Sequence, residues 1–222
     1  MLYYRGVNSS INPSRRSERL EAIGLAAAGI AHDINNQLTL ILNHLPAPDR
    51  SPTDMETVKA AAERCSSLTA SLLSWCRGET LVMAALDVAE FLEDYRQRLN
   101  LPSSVVFTLE LPVGLPRIAA DRLSLQRVLD NLVSNACAAM KDCGHLCISA
   151  SPGVIQVSDS GPGVPPSMQR RIFNPFVTSG VNQGTGLGLA IVREIMRQYG
   201  GSASIQPDQT SGATFLLRFR EL

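Results

Sequence analysis

The residues of this chain best suited to chemistry are one histidine, a few amides, one aspartate and two clusters of glycine. His32 is followed by Asp33 and, one helical turn on, by Asn36. An imidazole is a nucleophile and proton carrier near neutral pH, and an adjacent carboxylate can hold its tautomer or take its proton. Asn131 and Asn135 lie four apart and share a helix face. Asparagine is a mediocre helix former, so two in register suggest a task. Their amide oxygens are hard donors that suit Mg2+ held jointly with phosphates. Asp159-Ser160-Gly161-Pro162-Gly163 follows a strand-like run, where a carboxylate could accept from an amino group such as that of adenine. Gly184-Thr185-Gly186-Leu187-Gly188-Leu189 enters a helical run, offering backbone N–H groups and a positive dipole end to phosphates. Between these two blocks, Arg171-Ile172-Phe173-Asn174-Pro175-Phe176 places aromatics where they could pin the base of a loop. Each block also has a plainer reading: a solvated polar face for His32 and for the asparagine pair, an ordinary strand-to-loop turn at Asp159, and a dinucleotide-binding loop at Gly184–Gly188. The last wants a strand immediately before the glycines and an acidic residue about 20 positions later. The preceding residues here are a polar loop and the chain is nearly finished.

The elements that must position these groups follow from periodicity. Leu20, Ile23, Ala27, Ile30, Ile34, Leu38, Ile41 and Leu45 recur at spacings of three and four, the seam of a bundle helix over about 17–45. His32 points roughly 160° away from that seam and Asn36 lies almost over it one turn on. Pro46, Pro48 and Pro52 force a turn, and Thr53…Glu56 can form a capping box for a second helix. Its stripe is Val58, Ala61, Cys65, Leu68, Leu72 and Trp75. Two helices alone cannot bury both stripes, which predicts pairing with a second copy into a four-helix bundle, a homodimer. Arg77-Gly78-Glu79 reads as a joint. Beyond it the pattern predicts strands at 80–86, 105–110, 145–151, 154–159, 202–205 and 214–220 and a short extended piece at 116–120. It predicts helices after Asp87, after Asp121 and over 187–199. The fold class is therefore α+β: an N-terminal antiparallel helical hairpin, then an α/β sandwich with helices on one face of a mixed sheet. The domain division expected is a lead-in at 1–16, the hairpin at 17–78 and the sandwich at 79–222.

The chain has 222 residues with 20 Lys+Arg against 20 Asp+Glu. That balance favours neither nucleic acid nor a membrane surface. No apolar run reaches the ~18 residues of a membrane span, and Met1–Arg5 lacks the apolar core of a signal peptide, so a cytoplasmic location is expected. Five cysteines, Cys65, Cys76, Cys137, Cys143 and Cys147, are an odd number without paired metal-ligand spacing and read as reduced thiols. Cys143-x-His145-x-Cys147 reads as a turn entering a strand.

Taken together and in this order, the blocks resemble the catalytic core of sensor histidine kinases of two-component signalling. Gly29–Leu38 is similar to the phosphoacceptor box, Asn131–Asn135 to the N box and Asp159–Gly163 to the first glycine box. Arg171–Phe176 is similar to the F box and Gly184–Leu189 to the second glycine box. The resemblance covers roughly 17–222, and its second half resembles the Bergerat ATP-binding fold of type II topoisomerases and Hsp90, from which the histidine hairpin separates this chain. It implies ATP and Mg2+ as cofactors, His32 as the nucleophile attacking the γ-phosphate, and Asp33 as its acidic partner. Asn36 is implied to orient a water for dephosphorylating a partner. Asn131 and Asn135 would hold the metal and phosphates, and Asp159 would read the adenine amino group. Gly161, Gly163, Gly184, Thr185, Gly186, Leu187 and Gly188 would shape the pocket and its lid, and Arg171 would stabilise the transferred phosphoryl. The implied partner is the receiver domain of a response regulator, with a separate sensor protein as one source of the signal. Three positions depart from the family pattern. Gln37 stands where many members have a helix-bending proline, Ala138 where many have Lys or Arg, and Gly180 where many have a lid Lys. Fewer cations around the triphosphate imply weaker ATP binding or slower transfer. They leave open the alternative of a dimeric histidine phosphotransfer protein whose kinase-like domain no longer binds ATP.

Overall fold

The computed structural model describes residues 34–44, 54–59, 61–62, 65–66, 69, 81–175, 177–178, 186–206 and 212–220. The chain divides into two compact units, Met1–Cys76 and Arg77–Leu222. In the first, helix α1 covers 34–44 and helix α2 covers 54–59, with 61–62, 65–66 and 69 also helical. His44 Nδ1 lies 3.0 Å from Asp54 Oδ1, and the Cys65 thiol donates to the Ile34 carbonyl at 3.9 Å. The end of α1 thus meets the start of α2 and the reverse, which makes the pair antiparallel. Gln37 leaves α1 continuous, because unlike proline it keeps its backbone N–H. Its buried Oε1 has no hydrogen-bond partner. The expected lead-in at 1–16 lies outside the described residues, as does most of the predicted first helix before Ile34.

In the second unit the order is β1 (Ala84–Leu86), α3 (Val88–Arg98), β2 (Val105–Glu110), β3 (Ile118–Ala120), α4 (Arg122–Met140), β4 (Gly144–Ser151), β5 (Val154–Asp159), α5 (Pro166–Gln169), α6 (Gly188–Gln198), β6 (Ser202–Ile205) and β7 (Ala213–Arg218). Five strands form one sheet in the order β2-β4-β5-β7-β6. β2 runs parallel to β4 and every other pair is antiparallel. The parallel pair requires a crossover, and β3 with α4 supplies it. Alternate residues Leu146 and Ile148, Ile155 and Val157, and Leu217 are essentially sealed from solvent, and α4 packs on β4 and β5 while α6 packs on α4 and β6. From α4 the core takes Leu125, Val128, Leu129 and Leu132, all with no exposed surface. Each such leucine contributes about 1.5–3 kcal/mol by leaving water. The remaining strands, β1 and β3, make a separate antiparallel pair. The predicted strand at 80–86 is thus shortened to Ala84–Leu86, since only the residues opposite β3 find ladder partners. α5 was not expected from the sequence; Pro166 at its first turn starts it without a side-chain cap.

Two aspartates start the long helices as the sequence suggests. Asp87 accepts from Glu90 N at 3.1 Å, and Asp121 accepts from Ser124 N at 2.8 Å. The second oxygen of Asp121 also takes the N–H of Val82 at 3.0 Å, tying the segment before β1 to the start of α4. No helix among the described residues is long and apolar enough to cross a membrane.

Candidate functional site

Asp159 is the last residue of β5, opposite Leu146 of β4 and Ala213 of β7. Its Oδ1 accepts from Gly161 N at 2.8 Å and from Ala213 N at 3.3 Å. Burial raises its pKa, and these two N–H groups offset that only in part, so the carboxyl sits above its ordinary value. Both hydrogen bonds fall on one oxygen, which leaves Oδ2 as an acceptor for an incoming donor. Gly212 fixes this turn. Its N–H donates to Gly161 O at 2.7 Å, its φ is +87°, and a Cβ there would stand 2.0 Å from the Asp159 carbonyl oxygen. Only glycine fits, on both grounds. The end of α4 abuts the same turn: Ala139 Cβ is 3.3 Å from where a Cβ on Gly161 would lie.

One face of α4 carries the amides. Asn131 is half-buried and Asn135 exposed. Asn131 Nδ2 donates to Arg127 O at 2.8 Å, so its Oδ1 is the end turned outward from the helix backbone. The backbone of Gly188, first residue of α6, lies against both amides. A Cβ there would come within 2.9 Å of Asn131 Oδ1 and 3.7 Å of Asn135 Nδ2. No side chain caps the N-terminus of α6, so its first-turn N–H groups are available to an anion. Leu187, immediately before, is fully buried and anchors the end of the glycine segment. Gly163 and Gly186 take left-handed φ of +76° and +65°.

The aromatic block is anchored as expected at its centre. Phe173 is buried and meets Phe215 of β7 edge-on, with centroids 6.2 Å apart, and Asn174 accepts from Arg193 of α6 at 3.1 Å. Arg171 is exposed in the turn after α5, and among the described residues no hydrogen bond or ion pair joins its side chain to the amides or to Asp159. Asn36 is exposed on α1. His32, Asp33, Gly184, Thr185 and Phe176 lie outside the described residues.

The structure therefore brings Asn131, Asn135, Gly188, Asp159 and Gly161 together around α4. Three contributors escaped the sequence reading: Gly212, Ala213 and Ala139. Gly212 carried a signal, a glycine two positions before the predicted strand at 214–220. Ala213 acts through its backbone N–H and Ala139 through its small size, neither of which a sequence pattern marks.

Residues 120–222 match the family model described as histidine kinase-, DNA gyrase B- and HSP90-like ATPase. Sensor kinase CckA of Brucella abortus (strain 2308) is 33% identical over 92% of this chain and 25% of its own length. Sensor histidine kinase ZraS of Escherichia coli (strain K12) is 32% identical over 91% of this chain and 46% of its own. The chain spans a quarter to about half the length of these curated relatives. Among solved structures, histidine kinase ThkA in complex with response regulator protein TrrA superposes with a TM-score of 0.76 at 25% identity, over 93% of this chain and 64% of that one.

Proposed function

We propose that this chain, whose residues 120–222 match the histidine kinase-, DNA gyrase B- and HSP90-like ATPase model, transfers the γ-phosphoryl group of ATP to His32. The group then passes to an aspartate on the receiver domain of a response regulator. The observation that carries this reading is the arrangement along α4 of Asn131 and Asn135 against the uncapped start of α6, and of the Asp159 turn, its carboxylate held on one oxygen by two backbone N–H groups, at Ala139.

In this mechanism Asp159 Oδ2 accepts from the adenine amino group, and Gly161 and Gly163 let the backbone approach the base. Gly184, Thr185, Gly186, Leu187 and Gly188 enclose the phosphates, with the α6 N-terminus favouring their charge. Asn131 and Asn135 would hold Mg2+ through their amide oxygens, a donor set suited to a hard ion shared with phosphate oxygens. Mg2+ held by these two residues would supply positive charge against the phosphates. A ring nitrogen of His32 forms the N–P bond as the bond from γ-phosphorus to its bridging oxygen breaks, and ADP leaves with that electron pair. Asp33 takes or holds the proton of the other ring nitrogen, and Arg171 stabilises charge on the phosphoryl oxygens. Asn36, exposed on α1, orients water for hydrolysis of the phosphorylated partner in this reading. The exposed apolar side chains of the hairpin, Leu38, Leu42 and Met55, support a homodimer.

The test is labelling of the full chain with γ-labelled ATP and Mg2+. Acid-labile label is expected, absent in His32→Ala and Asn135→Ala. No label and no ATP binding by calorimetry, with phosphate still accepted from a phosphorylated receiver, would replace this reading with that of a histidine phosphotransfer relay.

A further inference from the structure

Arg171 stands on neither α4 nor the sheet. It lies in the turn that follows α5, a helix of four residues without a side-chain cap, and it is exposed. A long side chain on such a turn can act on a phosphoryl group only if the turn itself is held in place, because misplacement by about 1 Å is enough to cost rate.

The main chain closes this turn on itself. Arg171 N donates to Met168 O at 2.7 Å, and Asn174 N donates to Arg171 O at 2.8 Å. Asn174 is thereby fixed to Arg171 through backbone. Ile172 and Phe173 between them are buried, and Phe173 meets Phe215 of β7 edge-on. Those apolar contacts hold the turn on the sheet, but burial is non-directional and leaves its orientation toward the nucleotide cluster to be set by something else.

The directional contact comes from α6. Arg193 Nη1 donates to Asn174 Oδ1 at 3.1 Å. Arg193 lies roughly 7.5 Å along the helix from Gly188, the residue whose backbone lies against Asn131 and Asn135. One rigid helix thus meets the amides at its first residue and the Arg171 turn about a turn and a half later. The acid beside Arg193 is taken up elsewhere: Glu194 accepts from Arg197 at 2.9 and 3.1 Å and from Gln198 at 3.1 Å.

We propose that Arg193 is a positioning residue for phosphoryl transfer. Through Asn174 it holds the turn of Arg171 in a set place relative to the start of α6, a role that rests on the phosphoryl-stabilising function of Arg171 proposed above.

Single-turnover labelling of the full chain at saturating Mg2+ and ATP reads the transfer rate, and calorimetry reads ATP affinity. Arg193→Ala is expected to slow transfer roughly fivefold and to leave ATP affinity nearly unchanged. In the Arg171→Ala background the same substitution should change nothing, the non-additivity of two residues that act as a unit. Arg193→Lys keeps a cationic donor and should recover most of the rate, and Asn174→Asp offers the guanidinium a charged acceptor and should keep it. Trypsin supplies a reading that needs no activity. Cleavage after Arg170 and Arg171 in the nucleotide-free chain should quicken several-fold in Arg193→Ala and Asn174→Ala, with the melting temperature kept, and stay at the wild-type rate in Asn174→Asp. Unchanged cleavage in both alanine variants, a loss of rate that persists in the Arg171→Ala background, or a loss confined to ATP affinity would overturn the positioning role alone. A wild-type chain that takes no label, or an Arg171→Ala chain that transfers at the wild-type rate, would overturn it together with the reading on which it rests.

Discussion

At the scale of single residues, Asp159, proposed to bind the nucleotide, is kept at a cost to stability. Its pKa is raised in the folded state from an ordinary value of 3.8, so the folded state holds the proton more tightly than the unfolded one. Below the unfolded pKa both states are protonated and there is no penalty. As pH rises past that value the unfolded state ionises first, and stability falls until the folded pKa is passed. Asp159→Asn keeps an acceptor for Gly161 N and Ala213 N without the buried charge. Its melting temperature relative to wild type should therefore be unchanged near pH 3 and climb above it as pH rises, measured by calorimetry of the nucleotide-free chain. The same variant should bind ATP about tenfold or more weakly, the usual loss when a charged hydrogen-bond acceptor is neutralised. Gly188 is the complementary case. Alanine at the start of a helix is favourable in itself by up to ~1 kcal/mol, but here its Cβ would displace the Asn131 amide. Gly188→Ala is expected to melt at or near the wild-type temperature while losing about tenfold in Mg2+-dependent ATP affinity by calorimetry. A melting temperature that collapses would show instead that Asn131 cannot move.

At the scale of elements, α4 organises the unit. It carries the amides on one flank and the core leucines on another. Its start is held by Asp121. Burial pushes that carboxyl's pKa up, but the N–H groups of Ser124 and Val82 outweigh it and the net shift is downward. A depressed folded pKa means stability present above the unfolded pKa and lost as pH falls through the folded one. Asp121→Ala should cost about 1–2 kcal/mol at neutral pH, as loss of a helix cap does, measured by urea denaturation. The deficit should narrow toward acid pH. A deficit that stays constant from neutral to acid pH would show that the Asp121 carboxylate contributes packing and not capping. The helix itself was legible in the sequence, because an Asp followed by apolar residues at three and four carries its own local signal. The β4–β5 hairpin was legible for the same reason, across Pro152-Gly153.

At the scale of the whole molecule, the hairpin leaves Leu42 64% and Met55 51% exposed, too much apolar surface on one short pair of helices to face water alone. Light scattering should give a mass near twice the 23.9 kDa chain. Leu38→Glu with Leu42→Glu should shift it to the monomer and leave the Arg77–Leu222 unit folded by circular dichroism. A wild-type monomer at micromolar concentration would contradict the dimer. The two-unit division, with one unit matched by an ATPase family model over 120–222, is what lets these predictions be made separately.

By itself, the sequence determined most of what local chemistry decides: which runs are the longer helices and strands, where α3 and α4 are capped, and which residues have the types to bind a nucleotide and carry a phosphoryl group. Those properties depend on neighbours a few positions away, so spacing reveals them. The tertiary structure alone decided the parallel pairing of β2 with β4, the approach of Gly188 to Asn131 across 57 positions, and the glycine at 212 that pins the Asp159 turn. Each of these joins residues far apart in the chain, and their meeting follows from packing α4 onto the sheet, a sum over many weak apolar contacts that no single position announces.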